Sequence, residues 1–344
     1  MTILPRRLRP ALALPAAAVV MLAACTGSGA SPTAADGGVE GFVSIHGSST
    51  VEPITSLVAE TFSDANPGFD YEVGGEGTGA GFEEFFCLGD ADISDASRAI
   101  NDEEAALCEE NGVAYTELQV AFDGLSVVTS TENSDVTCLS FLDLYALLGP
   151  ESEGFANWSD ANDLAEELAG ELGTEFGESH APYPDASLDV TAPGEESGTF
   201  DSFVDIVLGD IAEARGQDAT TRPDYTASPN DNVIVEGIAG SPSSLGWVGL
   251  AFAEQNTETI TALEIDGGDG CVAPTTETVA DGSYAISRPL FIYVSHASAD
   301  ENPAVAAFVD YYLSDDGIAA VADAGYVELP EDPLQATRDA WEGR

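Results

Sequence analysis

Along this chain the spacing of apolar positions switches repeatedly between that of a strand and that of a helix. Gly41 to Ile45 is a short apolar run, and beyond it Ile54, Leu57, Val58 and Phe62 fall on one helical face. This predicts a strand near 41–46 and a helix near 53–64. A strand near Phe69–Val73, a helix carrying Phe82, Phe85 and Phe86, and a helix near 102–110 continue the pattern. Leu125 to Val128 reads as a strand that carries the chain into a second block. That block has helices near 140–148 and 162–171, a helical face at Phe203, Ile206 and Val207, and a strand at Leu245–Leu250. Ile286 to Val294 reads as a buried strand returning to the first block, followed by helices near 303–314 and 316–323. Alternation of this kind predicts an α/β fold with a mostly parallel sheet. Ligands of such sheets sit beyond the C-terminal ends of the strands.

The junctions at that edge share one chemistry. Gly47-Ser48-Ser49-Thr50-Val51-Glu52-Pro53 links the first strand to the first helix. A helix N-terminus leaves N–H groups unpaired and carries partial positive charge, so it suits an anion, and the hydroxyls can cap the helix or donate to a bound oxyanion. Gly75 to Gly81 is G-x-G-x-G-x-G, with Thr78 its one hydroxyl. It fails the register of the dinucleotide fingerprint but lets backbone approach a ligand. Ser97-Arg98 ends a third such segment, and Ser197-Gly198-Thr199 opens a helix in the second block. A planar guanidinium is the natural bidentate partner of a tetrahedral oxyanion, which makes Arg98 a candidate ligand. Its competing role is a salt bridge to Asp95 or another surface carboxylate.

Charge changes the list of partners. The 344 residues hold 62 acids against nine arginines and no lysine, a formal charge of −53. Nucleic acid is excluded as a partner for want of a basic patch, and Walker-type phosphate loops and Schiff-base chemistry for want of lysine. Residues 1–24 read as an export leader, with Arg6, Arg7 and Arg9 ahead of a short apolar stretch. Leu22-Ala23-Ala24-Cys25 resembles a lipobox, which predicts lipidation at Cys25 and a flexible tether over 25–40. Four cysteines remain for an oxidising compartment, with three pairings open. The pairing adopted is Cys87–Cys108, closing a short loop, with Cys138–Cys271 stapling two distant segments. His46, His180 and His296 show no ligand spacing, so no metal site is expected, and His180 and His296 are given no chemical role.

Five pieces together carry a family resemblance: Gly47-Ser48-Ser49-Thr50-Val51, Gly77-Thr78-Gly79, Asp92 to Arg98, Ser197-Gly198-Thr199-Phe200 and Ser287-Arg288-Pro289-Leu290. In this order they resemble the PstS-type phosphate-binding lipoproteins of ABC transporters, among the class II periplasmic binding proteins. The resemblance implies two α/β lobes joined by two hinge strands, with lobe 1 over 41–122 and 285–344 and lobe 2 over 123–284. It implies inorganic phosphate held in the cleft by Ser49, Thr50, Thr78, Ser97, Arg98, Ser197, Gly198 and Thr199. It further implies no cofactor, no catalysis, a monomer, and delivery to permease subunits from the outer face of the cytoplasmic membrane. Two departures stand out. Relatives place a carboxylate at the position of Ser97, where it accepts the proton of monohydrogen phosphate, and an arginine at Pro193-Gly194. Glu76, Glu195, Glu196 and Asp201 are candidates for that acceptor, and Arg98 for the missing arginine. The alternatives are a receptor for another oxyanion such as sulfate, molybdate or a phosphonate, a sensor or adhesion lipoprotein, and a serine hydrolase. The last lacks a G-x-S-x-G elbow.

Overall fold

The computed structural model describes residues 38–195 and 197–344. The leader, Cys25 and nearly all of the tether lie outside the described residues. Among the described residues there are thirteen strands: β1 (Glu40–Gly47), β2 (Gly68–Gly74), β3 (Ile93–Ala96), β4 (Tyr115–Ser130), β5 (Cys138–Ser140), β6 (Asp189–Ala192), β7 (Thr226–Ala227), β8 (Ser244–Gly249), β9 (Ile260–Ala262), β10 (Glu264–Asp266), β11 (Cys271–Val272), β12 (Ser287–Ser295) and β13 (Val327–Glu328). Ten of them share a sheet whose main path runs β2-β1-β3-β12-β4-β8-β6-β7, with β9 and β13 pairing β4. A small sheet joins β11, β10 and β5.

Both ends of the large sheet are parallel, β2-β1-β3 at one and β8-β6-β7 at the other. Its centre is not. β12 runs antiparallel to β3 and β4, and β4 antiparallel to β8. The expected mostly parallel sheet therefore holds for each lobe's outer strands only. The two strands that pass the chain between lobes run against their neighbours, because one leaves the first lobe and the other re-enters it. β4 does the leaving: it pairs β12 through Gly124 and β8 from Leu125.

Each lobe has its own core. Ile54, Val58 and Phe62 of the helix Glu52–Ala65 pack with Val43, Ile45, Ile292, Phe308 and Tyr312 in the first. Leu142, Tyr145, Trp158, Phe203 and Trp247 lead the second, where Phe203 stacks on Trp247 at 4.2 Å between ring centroids. Trp158 is fully buried at the start of the short 3-10 helix Trp158–Ala161 and donates its indole N–H to Ser243 O at 2.8 Å. Truncating Phe203 would cost about 3–5 kcal/mol on the scale of buried aromatic deletions. Ile286 and Val327, which fall after residue 284 in sequence, pack into the second core. Disulfides join Cys87 to Cys108 and Cys138 to Cys271, the adopted pairing.

Candidate oxyanion-binding site

Three parallel strands end at one edge, and each ends in one of the hydroxyl loops. β1 runs into Ser48-Ser49-Thr50, β2 into Gly77-Thr78-Gly79, and β3 into Ser97-Arg98-Ala99. β12 is antiparallel, so it starts where they finish and delivers Arg288 and Pro289 to the same edge. These residues, with Asp201, Asp205 and Ile206 from the second lobe, line a cleft of about 760 Å³.

The first loop is shaped by its glycine. Gly47 has φ +144°, and a Cβ there would lie 2.0 Å from Asp95 O, so only glycine lets β1 close onto β3. Ser48 N then donates to Asp95 O at 2.8 Å. The expected helix cap does not form: Val51 occupies the cap position of Glu52–Ala65, with no side-chain hydrogen bond to the helix. The Ser48 hydroxyl instead accepts from Thr50 N at 3.2 Å. Ser49 and Thr50 are thus not used up in capping.

Of the eight residues expected at the site, Ser49, Thr50, Thr78, Ser97 and Arg98 line this cleft. Thr78 Oγ1 accepts from Ser97 N and shares a hydrogen bond with Ser97 Oγ, both at 3.1 Å, which locks the two loops together. Ser197, Gly198 and Thr199 stand behind it. Gly198 backs onto the first loop, where a Cβ would lie 3.7 Å from Ser49 O and 3.8 Å from Thr50 Cα. Ser197 caps the helix Gly198–Phe203 by accepting from Thr199 N, and Thr199 lines a separate cavity of about 370 Å³.

Arg98 makes the salt bridge that competes with ligation, but to Glu104. Its two terminal nitrogens donate to the Glu104 carboxylate at 2.8 and 2.7 Å. Glu104 is almost fully buried and also closes the capping box of the helix Asp102–Asn111. Its bond to the guanidinium pushes the Arg98 pKa further up. Arg98 remains on the cleft wall, positioned by a carboxylate that neutralises part of its charge.

The arginine at the centre is Arg288, which the sequence offered within the Ser287-Arg288-Pro289-Leu290 piece of the family resemblance but not among the expected phosphate ligands. Its Nη2 donates to Thr50 Oγ1 at 3.1 Å in one lobe and to Ser202 Oγ in the other. Nε reaches Asp123 at 3.4 Å, and Nη1 reaches Asp205 at 3.4 Å. Asp123 is fully buried; burial raises its pKa, against the pull of Arg288 and Ser202. Pro289 costs no ladder bond here, because β12 pairs β3 only from Phe291 onward. The available signal was a lone charge beside proline in an otherwise apolar strand.

The carboxylates sort by position. Glu76 bonds His46 Nδ1 at 3.0 Å; burial raises its pKa, but the His46 bond and charge together with backbone hydrogen bonds outweigh this and the net shift is down. Glu195 lines another cavity, and Glu196 lies outside the described residues. Asp201 lines the cleft, its pKa raised by burial and then by the charge of Asp205.

The family model described as "PBP superfamily domain" matches residues 27–316. Protein SphX of Synechocystis sp. is 37% identical over 84% of this chain and 79% of its own length. The phosphate-binding protein PstS of Staphylococcus haemolyticus is 33% identical over 91% of this chain and 90% of its own. The crystal structure of a possible phosphate binding protein from Planctomyces limnophilus superposes with a TM-score of 0.78 at 32% identity, covering 89% of this chain and 99% of that one. The protein belongs to the PBP superfamily and, within it, to the PstS-type phosphate-binding proteins.

Proposed function

We propose that this protein captures inorganic phosphate in the cleft between its lobes and delivers it to the permease subunits of an ABC transporter. The observation that carries the reading is Arg288, whose guanidinium touches both lobes at the base of a hydroxyl-lined cleft. A cation already shared between the lobes gives an oxyanion a common partner, so its binding favours the closed arrangement. Ser49, Thr50, Thr78, Ser97 and Arg98 supply further donors from the first lobe. Ser197, Gly198 and Thr199 take part by holding the opposite helix against the first loop, and enter the ligand's shell only on tighter closure. Asp201 is the acceptor for the phosphate proton: of the acids considered and described, it lines the cleft. A carboxylate accepts from an anion that carries a proton and repels one that does not, which disfavours sulfate.

The formal charge of −53 does not forbid this, since screening over about 8–10 Å leaves local donors in control. Anchoring through a lipid on Cys25 at the outer face of the cytoplasmic membrane, and a monomeric state, complete the proposal. Among the described residues no helix is long and apolar enough to cross a membrane. Calorimetric titration of the tether-free protein with phosphate and then sulfate, at pH 6 and pH 8.5, is the test. Tight phosphate binding with sulfate silent is expected. Preference for sulfate would keep the fold and overturn the ligand.

A further inference from the structure

Outside the cleft, three side chains form a line that the phosphate reading leaves unused. Asp143, fully buried in the helix Phe141–Leu148, bonds His180 Nδ1 at 2.7 Å. The other ring nitrogen, Nε2, faces Cys271 Sγ at 3.6 Å. Asp143 is itself fixed by Ser140 N, Ser179 Oγ, His180 N and the Tyr183 hydroxyl, so the ring orientation is set from the core. Both sulfurs of Cys138–Cys271 and the His180 ring lie within 4.8 Å of one another. Cys138 is buried and Cys271 exposed. The other disulfide has both half-cystines fully buried.

We propose that Cys138–Cys271 is a thiol-exchange site, opened in the folded protein by a low-molecular-weight thiol, with His180 holding Cys271 as a thiolate. In the first step the incoming thiolate bonds to the exposed Cys271 sulfur. The Cys138–Cys271 bond breaks, and its electron pair goes to Cys138 Sγ, which takes up a proton. In the second step another thiolate attacks the small thiol's sulfur in the mixed disulfide. That releases the small thiol as its own disulfide and leaves the electron pair on Cys271 beside the imidazolium. The protein gains two electrons and the two small thiols lose them. An imidazolium next to sulfur stabilises the thiolate, as it does at reactive cysteines generally.

The bond to Asp143 raises the His180 pKa, with burial opposing and the charges of Asp143, Asp266 and Glu178 adding to the rise. Asp266 is engaged by the backbone N–H groups of Glu178, Gly268 and Gly270, which draws the turn before Cys271 towards the ring. The carboxylates around His180 therefore favour its charged form.

The test is native-state exposure of the disulfide-intact protein to reduced glutathione, followed by acid quench, alkylation and peptide mass spectrometry. Cys138–Cys271 is expected to open at least about tenfold faster than Cys87–Cys108, with glutathione found on Cys271. His180→Gln should slow release of Cys271 from its mixed disulfide with glutathione about tenfold at pH 6.5, and the difference should shrink towards pH 9 as the imidazole of the wild-type protein loses its proton. His180→Arg should restore part of the rate. Phosphate affinity, which His180 does not touch, reports that each variant is folded. Equal rates for wild type and His180→Gln at every pH would overturn the proposal. So would a wild-type ratio between the two disulfides that does not change with pH, a measurement that needs no variant.

Discussion

The two walls of the cleft are built from opposite materials. The first-lobe wall presents hydroxyls and Arg98 on three loops fixed by backbone pairing. The second-lobe wall presents Asp201, Asp205 and Ile206 from one short helical segment. An anion site with acid on one side looks self-defeating until Arg288 is placed between them, bonded to Thr50 on one wall and to Ser202 and Asp205 on the other. On the proposed reading, the first wall would supply attraction and the second discrimination, with a shared cation joining them.

Removing the shared cation should produce the largest effect. Arg288→Gln is expected to weaken phosphate binding about 100-fold, the loss of charge-assisted bonds worth roughly 2–3 kcal/mol. Calorimetry checks it, and unchanged affinity would make the two walls independent. Arg98→Gln should cost less, about tenfold, because Glu104 already neutralises part of that guanidinium. A loss equal to that of Arg288 would move the centre of the site into the first wall. Asp205→Asn should tighten phosphate by roughly threefold at low salt and less at high salt, since a carboxylate competing for Arg288 disappears. Weaker binding instead would make Asp205 a ligand rather than a competitor.

The smallest binding change is expected beneath the first wall. Asp95 is fully buried on β3; burial, with help from the charge of Glu52 and against a hydrogen bond from Thr55, pushes its carboxyl up to about 8. A carboxyl held above its unfolded value near 4 costs stability as pH rises between those two values, because the unfolded chain releases the proton first. Asp95→Asn keeps an acceptor for Thr55 and removes the titration. It should gain on wild type by about 3–4 kcal/mol between pH 5 and pH 8, read from thermal midpoints, with phosphate affinity changed less than about twofold. A matching shift in affinity would show that the loop's donors depend on charge beneath them.

How much of this could be read beforehand follows the same division. The first wall is local chemistry: each loop joins a strand to the helix after it, so spacing reveals Ser49, Thr50, Thr78, Ser97 and Arg98 as one edge. Arg288 belongs to the edge only through the antiparallel entry of β12, a pairing between residues far apart in sequence that no local pattern encodes. Glu104 was hidden for a subtler reason. It reads as an ordinary capping-box glutamate of the next helix, and its second engagement, with Arg98, appears only when the loop folds back. The line from Asp143 through His180 to Cys271 has the same character, its members coming from three separate elements. Ser197-Gly198-Thr199 was legible as a helix opening, yet whether it fronts the cleft depends on how closely the lobes approach.

β4 gives the molecule a mechanical property. Its 16 residues form one ribbon roughly 50 Å long that belongs to both lobes. Its neighbour changes from β12 to β8 between Gly124 and Leu125, one residue past Asp123. A bend at that joint works against the Leu125 N to Ile286 O bond of 3.1 Å that spans it, while the ribbon on either side is held by its paired neighbours. The joint lies beside the aspartate that holds Arg288. On the proposed reading, its stiffness would enter into how long a captured phosphate dwells before release.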